Sequence, residues 1–267
     1  MTNYLFIDGS YYCFYRYYAL LTWWKNAHKD EPLDDDPIDN NIFVDKFKSV
    51  FNSKINEIIK KLKIQSPKVY IGKDCHRTDI WRNTLYSKYK ENRNSGDDIF
   101  LGGPFFKLAY SELYKNHPKV SGILYHENLE ADDCIAIATK HILETDPNAN
   151  IYIITSDMDY LQLSNERTQI YNLKFKKLTE SKSSYNNAEK DLFCKIVLGD
   201  KSDNIPGIFK KCGPKTVEKL FNDSDEFIKK LNKENCNEAY NLNKQLVDFN
   251  QIPITLISEF KKNNSFE

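Results

Sequence analysis

Apolar residues gather in four short runs along the first part of the chain, at 4–8, 68–72, 122–126 and 151–155, each flanked by polar or turn-forming residues. Runs this short read as buried β-strands. Between them, apolar positions recur at helical spacing. In 43–62, Phe43, Phe47, Val50, Phe51, Ile55, Ile58, Ile59 and Leu62 share one helix face. The aromatic-rich stretch 11–24, the basic stretch 82–93, and 105–116 and 131–143 also read as helices. The segment 26–41, with Pro32, Pro37 and Asp34, Asp35 and Asp36, reads as a loop. The segment 94–104, with Gly96, Gly102, Gly103 and Pro104, reads as a mobile one. Strands separated by helices predict an α/β fold, a mainly parallel sheet flanked by helices. The last third reads as mostly helical, and no internal repeat is present. This places an α/β core at 1–185 and a helical region at 186–267.

Composition narrows the class. At 267 residues, 40% hydrophobic and 28% charged, the chain is globular rather than disordered. Its length is enough to bury a core without disulfides or a structural metal. No apolar run approaches the roughly 18 residues of a membrane span. Asp8 follows so short an apolar stretch that a signal peptide is not expected. The six cysteines form no CxxC pair, which points to free thiols in a reducing intracellular compartment and not to a secreted protein.

Lys and Arg number 38 and Asp and Glu 38, so the formal net charge is zero. That argues against a nucleic-acid partner only if the signs are mixed, and they are not. Positions 1–45 carry three basic and eight acidic residues, 46–95 thirteen and four, and 167–190 six and two. Such runs usually coat solvated faces. Basic segments beside grouped carboxylates also suit a phosphate-tracking surface around a metal site. Nucleic-acid affinity is then expected to depend on divalent metal as well as on salt.

The acids sit where an open parallel sheet gathers ligands, beyond the carboxyl ends of its strands. Asp8 ends the first run and Asp74 follows the second. Glu130, Asp132 and Asp133 follow the third at a helix start, and Asp157 and Asp159 follow the fourth. Each alone reads as well as a cap, a turn residue or a helix-dipole partner. Together they conflict, because like charges at close range raise one another's pKa, and a divalent cation relieves that. Oxygen donors, with His28, His76, His117, His126 and His141 scattered and no HxxxH pair, suit Mg²⁺ or Mn²⁺ rather than Zn²⁺. Two such ions roughly 3.5–4 Å apart clamp the attacking and leaving oxygens of a phosphodiester. Further on, a Gly/Pro-rich turn holding Gly207 and Gly213 lies between two helical patterns, after Asp200 and Asp203. Its backbone N–H groups with Lys210, Lys211, Lys215 and Lys219 suit a duplex backbone; the ordinary alternative is a polar helix–helix turn.

These residues resemble the structure-specific 5′-nuclease superfamily, which includes flap endonucleases and the 5′→3′ exonuclease domain of bacterial DNA polymerases. The resemblance runs through Asp8-Gly9, Trp81-Arg82 to Arg93, Glu130 to Asp133, Thr155 to Leu163, and Gly199 to Lys219. It is nearest to phage and large-DNA-virus versions, including phage-type ribonuclease H. It implies a PIN-like or resolvase-like nuclease core with a short arch near 82–105 and a helix–hairpin–helix region, together one compact catalytic unit. It implies two Mg²⁺ ions, replaceable by Mn²⁺: one held by Asp8, Asp74, Glu130 and Asp132, the other by Asp157, Asp159, Asp200 and Asp203, with Asp133 near both. Lys90 and Arg93 would meet the scissile phosphate, and Arg16 would steer the same strand. Arg82, Gly207, Lys210, Lys211, Gly213, Lys215, Thr216 and Lys219 would contact nucleic acid. The implied partner is DNA with a 5′ flap, nick or RNA primer, cut by a monomer during replication or repair. K⁺ is a further expected ligand of the hairpin turn in this superfamily. Here that turn looks one residue longer, and Lys210 and Lys211 stand where a second Gly is usual. Arg16 lies one position further from Asp8 than in polymerase-type members, and Asp74 is also shifted by one. No sliding-clamp peptide is seen.

Three other readings compete. A non-catalytic nucleic-acid scaffold of the same fold would lack some of the acids. A PIN-type ribonuclease needs fewer acids and no duplex-gripping segment. A phosphatase with a nucleophilic Asp would want DxD at the first strand, where this chain has Asp8-Gly9-Ser10.

Overall fold

A computed structural model describes residues 2–30, 33, 35–94 and 100–266. Asp34 of the expected acidic loop, and 95–99 of the expected arch including Gly96, lie outside them. Strands β1 (Asn3–Asp8), β2 (Lys68–Gly72), β3 (Val120–Leu124), β4 (Asn150–Ile154) and β5 (Thr168–Tyr171) form one sheet in the order β3-β2-β1-β4-β5, and every pairing is parallel. The four apolar runs account for β1 to β4. The fifth strand was not expected. Within the sheet it pairs with β4 and lies at the edge, and it buries Thr168 and Ile170 while Gln169 and Tyr171 stay half-buried. An edge strand with one covered face needs no continuous apolar run.

The helices are α1 (Gly9–Ala27), α2 (Asn41–Lys61), α3 (Gly103–Leu108), α4 (Tyr114–Asn116), α5 (Ala131–Thr145), α6 (Ala188–Leu198), α7 (Pro214–Asn222), α8 (Ser224–Lys233), α9 (Asn237–Val247) and α10 (Ile254–Asn263). A π-helical turn, Ala109–Leu113, joins α3 to α4. The sheet is covered on both faces, which is why β1 is almost wholly apolar. Tyr4 and Phe6 pack with α5 and α10 on one side. Leu5 and Ile7 pack with α1, α2 and α3 on the other. Helix α2 starts where the Asn40 side chain accepts the Phe43 N–H at 2.9 Å, and it buries Phe43, Phe47, Phe51, Ile55 and Ile58.

The stretch 82–93 is not the expected continuous helix. It forms two 3₁₀ turns, Trp81–Thr84 and Glu91–Asn94, and Lys90 between them takes a positive φ of 56°. The reason is burial. Arg82, Tyr89 and Lys90 all turn inward onto carboxylates, which a solvated basic helix could not do.

From Ala188 the chain is helical, with a small core of its own containing Val197, Phe209, Val217, Leu220 and Phe227. A further cluster, including Cys75, Ile80, Tyr89, Ile196, Ile205 and Leu246, ties these helices to the segment after β2. Two glycines are required by space. At Gly9 a Cβ would lie 2.4 Å from the Tyr110 hydroxyl and 2.6 Å from the Gly72 carbonyl oxygen. At Gly199, the C-cap of α6, φ is +73°. All six cysteines are free thiols. Among the described residues no helix is long and apolar enough to cross a membrane.

Candidate active site

The strand order creates a switch point. From β1 the chain steps outward to β2 and β3, then returns to the other side of β1 as β4. The carboxyl ends of β1 and β4 therefore diverge into a crevice, the usual place for a ligand in such sheets. A cleft of about 430 Å³ opens there, lined by Asp8, Ser10, Asp74, Arg77, Lys90, Arg93, Glu130, Asp132 and Asp157 among others.

Each acid is set by its own short-range bonds. Asp8 caps α1, accepting the Tyr11 N–H at 2.9 Å, and its other oxygen accepts from the Thr155 hydroxyl at 3.2 Å. Asp74 accepts from the Ser10 hydroxyl at 2.6 Å and from the Ala131 N–H at 2.9 Å. Asp132 accepts the Asp133 N–H at 2.7 Å. Asp157 caps the 3₁₀ helix Met158–Leu163, accepting the Asp159 N–H at 2.9 Å. The cap and turn readings thus hold, and the same carboxylates still face one cleft. Among the described residues no basic side chain pairs with Asp8, Asp74, Asp132 or Asp157. Burial, then the charges of Asp74 and Asp157, pushes the Asp8 carboxyl up to about 7. Burial, then Asp133 and Glu130, pushes Asp132 well above the usual carboxylate range. Half-buried carboxylates that pair with no basic side chain among the described residues form an all-oxygen donor set that fits a hard divalent cation.

A second group lies beside this one. Oxygens of Asp159, Asp200 and Asp203 come within 4.8 Å of one another, as do those of Glu130, Asp132 and Asp133. The two groups are bridged by protein cations. The Lys90 ammonium pairs with Glu130 and lies 3.6 Å from Asp203, and Tyr89 Oη donates to Glu130 at 3.0 Å and to Asp203 at 3.3 Å. Arg93 pairs with Asp203 at 2.5 Å. Although burial works against its charge, Lys90, then Arg82, holds the Glu130 carboxyl below its usual range. Lys195, on the last turn of α6, pairs with Asp159 and with Asp200 at 2.8 Å. Against the opposing effect of burial, Lys195 and the Ser202 hydrogen bonds bring Asp200 down to about 2.

Three expected roles change. Asp133, expected near both metals, is fully buried and committed elsewhere. Its oxygens accept from Arg82 Nη1 and Nη2, each at 2.7 Å, and from Trp81 Nε1 at 3.0 Å. Arg82, expected on nucleic acid, is 2% exposed and also bonds Glu130 and the Leu246 carbonyl. It is an internal clamp. Arg16, expected to steer the substrate strand, is buried with its guanidinium over the rings of Tyr12 and Tyr15, at 5.3 and 4.7 Å. Ser10, Tyr11 and Phe14 line the cleft. Arg16 lies two positions beyond Phe14, about 200° further round α1, and so points away from it. Lys90 and Arg93 do reach the cleft. Sequence reasoning missed Lys195, Arg77, Ser10 and Thr155. Nothing marks Lys195 in the chain except that it precedes Asp200 by five positions.

The segment between α6 and α7 is anchored by buried Ile208 and Phe209 and exposes Gly207, Lys210, Lys211 and Gly213, and α7 exposes Lys215, Thr216 and Lys219. Gly213 is the N-cap of α7 with Pro214 after it, and no side chain caps that end.

Comparison with known proteins agrees with this geometry. Residues 3–191 match the model of the 5′-3′ exonuclease, N-terminal resolvase-like domain. DNA polymerase I of Lactococcus lactis subsp. cremoris is 29% identical over 225 residues, 81% of this chain and 23% of that protein. The chain thus spans about a quarter of the length of such polymerases. Ribonuclease H of Enterobacteria phage T4 is 28% identical over 213 residues, 72% of this chain and 67% of that protein. In fold, the chain is similar to the bacteriophage T5 D15 flap endonuclease, solved with DNA and metal ions: TM-score 0.69 at 17% identity, covering 98% of this chain and 97% of that one. The match over residues 3–191, together with the carboxylate crevice at the switch point, shows that the chain belongs to the 5′-3′ exonuclease family.

Proposed function

We propose that this protein is a divalent-metal-dependent, structure-specific 5′ nuclease that hydrolyses phosphodiesters of DNA flaps or RNA primers in replication or repair. The observation that carries the reading is the meeting of Asp8, Asp74, Asp132 and Asp157, which form no ion pair with a basic side chain among the described residues, with Lys90, Arg93 and Arg77 around one cleft. Asp8, Asp74, Glu130 and Asp132 are the proposed ligands of one ion; Asp157, Asp159, Asp200 and Asp203 are those of a second. When bound, Mg²⁺ or Mn²⁺ supplies Lewis-acid charge to the reacting oxygens. Lys90 and Arg93 orient the phosphate and oppose the charge that develops on it. Arg93, 47% exposed at its side chain, is the one that can meet an incoming strand first. The exposed Lys210, Lys211, Lys215 and Lys219, with the uncapped N-terminus of α7, are the proposed hold on the duplex backbone.

The test uses 5′-labelled flap, nicked, gapped and RNA–DNA substrates with Mg²⁺, Mn²⁺ or EDTA. Cleavage is expected with either metal, none with EDTA, and a severe loss in Asp132→Asn. Cleavage that persists in EDTA, or binding without cleavage in both metals, would refute the reading. The second outcome would favour a non-catalytic scaffold.

A further inference from the structure

The two carboxylate groups differ in one physical respect. Asp8, Asp74 and Asp132 at the strand ends pair with no basic side chain among the described residues, and of that group Glu130 alone is held, by Lys90 and Arg82, whereas each acid of the group beyond, Asp159, Asp200 and Asp203, has a cation partner. Lys195 is the centre of that neutralisation. Helix α6 ends at Leu198, and Gly199, at φ +73°, turns the chain so that Asp200 folds back over the last helical turn. The Asp200 carboxylate then meets the ammonium of Lys195 at 2.8 Å. Asp159 reaches the same ammonium from the other side, brought by the 3₁₀ helix Met158–Leu163. The three side chains are only 12–18% exposed, so the pairing is largely withdrawn from solvent. Lys195 also sits where the α6 carbonyls end, and its own carbonyl accepts the Gly199 N–H at 2.9 Å; the helix dipole there favours a cation.

An ammonium held by two carboxylates of a proposed ion site occupies the charge position that the ion would take. We propose that Lys195 is a built-in counter-cation of the Asp159–Asp200–Asp203 group, which a second divalent ion must displace. The inference rests on the metal reading above. It makes the two sites unequal: three of the four acids proposed for the ion at the strand ends pair with no cation among the described residues, while the second ion competes with an internal lysine and binds more weakly. The Asp159–Asp200 group stays assembled without metal, and its occupancy follows metal concentration.

The experiment counts and ranks ions on the whole chain without nucleic acid, by isothermal titration calorimetry and Mn²⁺ electron paramagnetic resonance. Wild type should bind one Mn²⁺ tightly and a second weakly. Lys195→Met should tighten the second by roughly tenfold or more, the scale of one close charge interaction in a half-buried site, and leave the first unchanged. Lys195→Arg, which keeps the charge, should bind as wild type does. Equal or weaker second-site binding in Lys195→Met would overturn the inference. No Mn²⁺ binding by wild type would overturn the metal reading itself, so the two failures are distinguishable. Should Lys195→Met not fold, wild type carries a second test. Saturating Mg²⁺ should free the Lys195 amine and speed its acetylation relative to EDTA, read by peptide mass spectrometry. An unchanged or slower rate would overturn the proposal.

Discussion

Arg82 offers the sharpest check on the reassigned residues. Its guanidinium makes a two-pronged pair with Asp133 at 2.7 and 2.7 Å, a bond to Glu130 at 3.0 Å and one to the Leu246 carbonyl at 2.7 Å. Arg82 and Asp133 are 2% and 0% exposed at their side chains. Removing one partner of such a buried pair leaves the other as an uncompensated charge, at a cost of about 3–5 kcal/mol. Arg82→Met should lose that much in urea unfolding, and about 6–20 °C in Tm. The double variant Arg82→Met/Asp133→Leu should recover at least half of the loss, because neither charge of the pair is then left buried alone, while Trp81 Nε1 and the Leu246 carbonyl still lose their partners. Under the alternative, with Arg82 on nucleic acid, stability would hardly change while duplex binding would weaken and lose salt dependence. A loss below about 1 kcal/mol, typical of a surface pair, would refute the buried-clamp argument. So would a double variant less stable than the single one.

The pH dependence of the metal-free chain has a defined sign. Asp8 binds its proton more tightly when folded, at about 7 against 3.8, so its contribution is full below pH 3.8 and is lost as pH rises through 7. In EDTA, urea midpoints should therefore fall between pH 4 and 7, by up to ~4 kcal/mol in stability, and Mg²⁺ should oppose the fall; a rise over that window in EDTA would contradict the reasoning. Asp200, lowered to about 2, acts oppositely, and its contribution is lost as pH drops from 3.8 towards 2. Lys215→Glu should weaken duplex binding and reduce the slope of log K against log salt by roughly 1, and an unchanged slope would remove Lys215 from the interface. Arg16→Lys should leave the rate of flap cleavage within roughly threefold, less than ~1 kcal/mol of barrier, and a hundredfold loss would restore Arg16 to the reaction.

Much of the site was legible before any coordinates. Asp8, Asp74 and Asp157 can be placed because they end or closely follow apolar runs, and Asp132 because it opens the helix after one, since parallel strands present their carboxyl ends on one edge. Lys90 and Arg93 entered through the resemblance and do line the cleft. What failed has local causes. Strand β5 lacks an apolar run because, at the sheet edge, only one of its faces is fully covered, so its buried positions alternate. The basic stretch 82–93 read as a solvated helix because charge normally faces water, and nothing local shows that Arg82 meets Asp133, 51 positions away.

The amino-acid order by itself determined the alternation of strands and helices, and with it which ends carry acids. It did so because strand burial and helix amphipathicity are short-range patterns. Which acids stay free and which are neutralised was decided only in three dimensions. Asp133 and Asp132 are neighbours in the chain, yet one is locked to Arg82 and the other faces the cleft. Asp200 and Asp8 both border the proposed chemistry, yet Lys195 holds one carboxyl near 2 while burial among like charges lifts the other to about 7. Coulomb energy depends on distance and on the surrounding dielectric, and folding sets both.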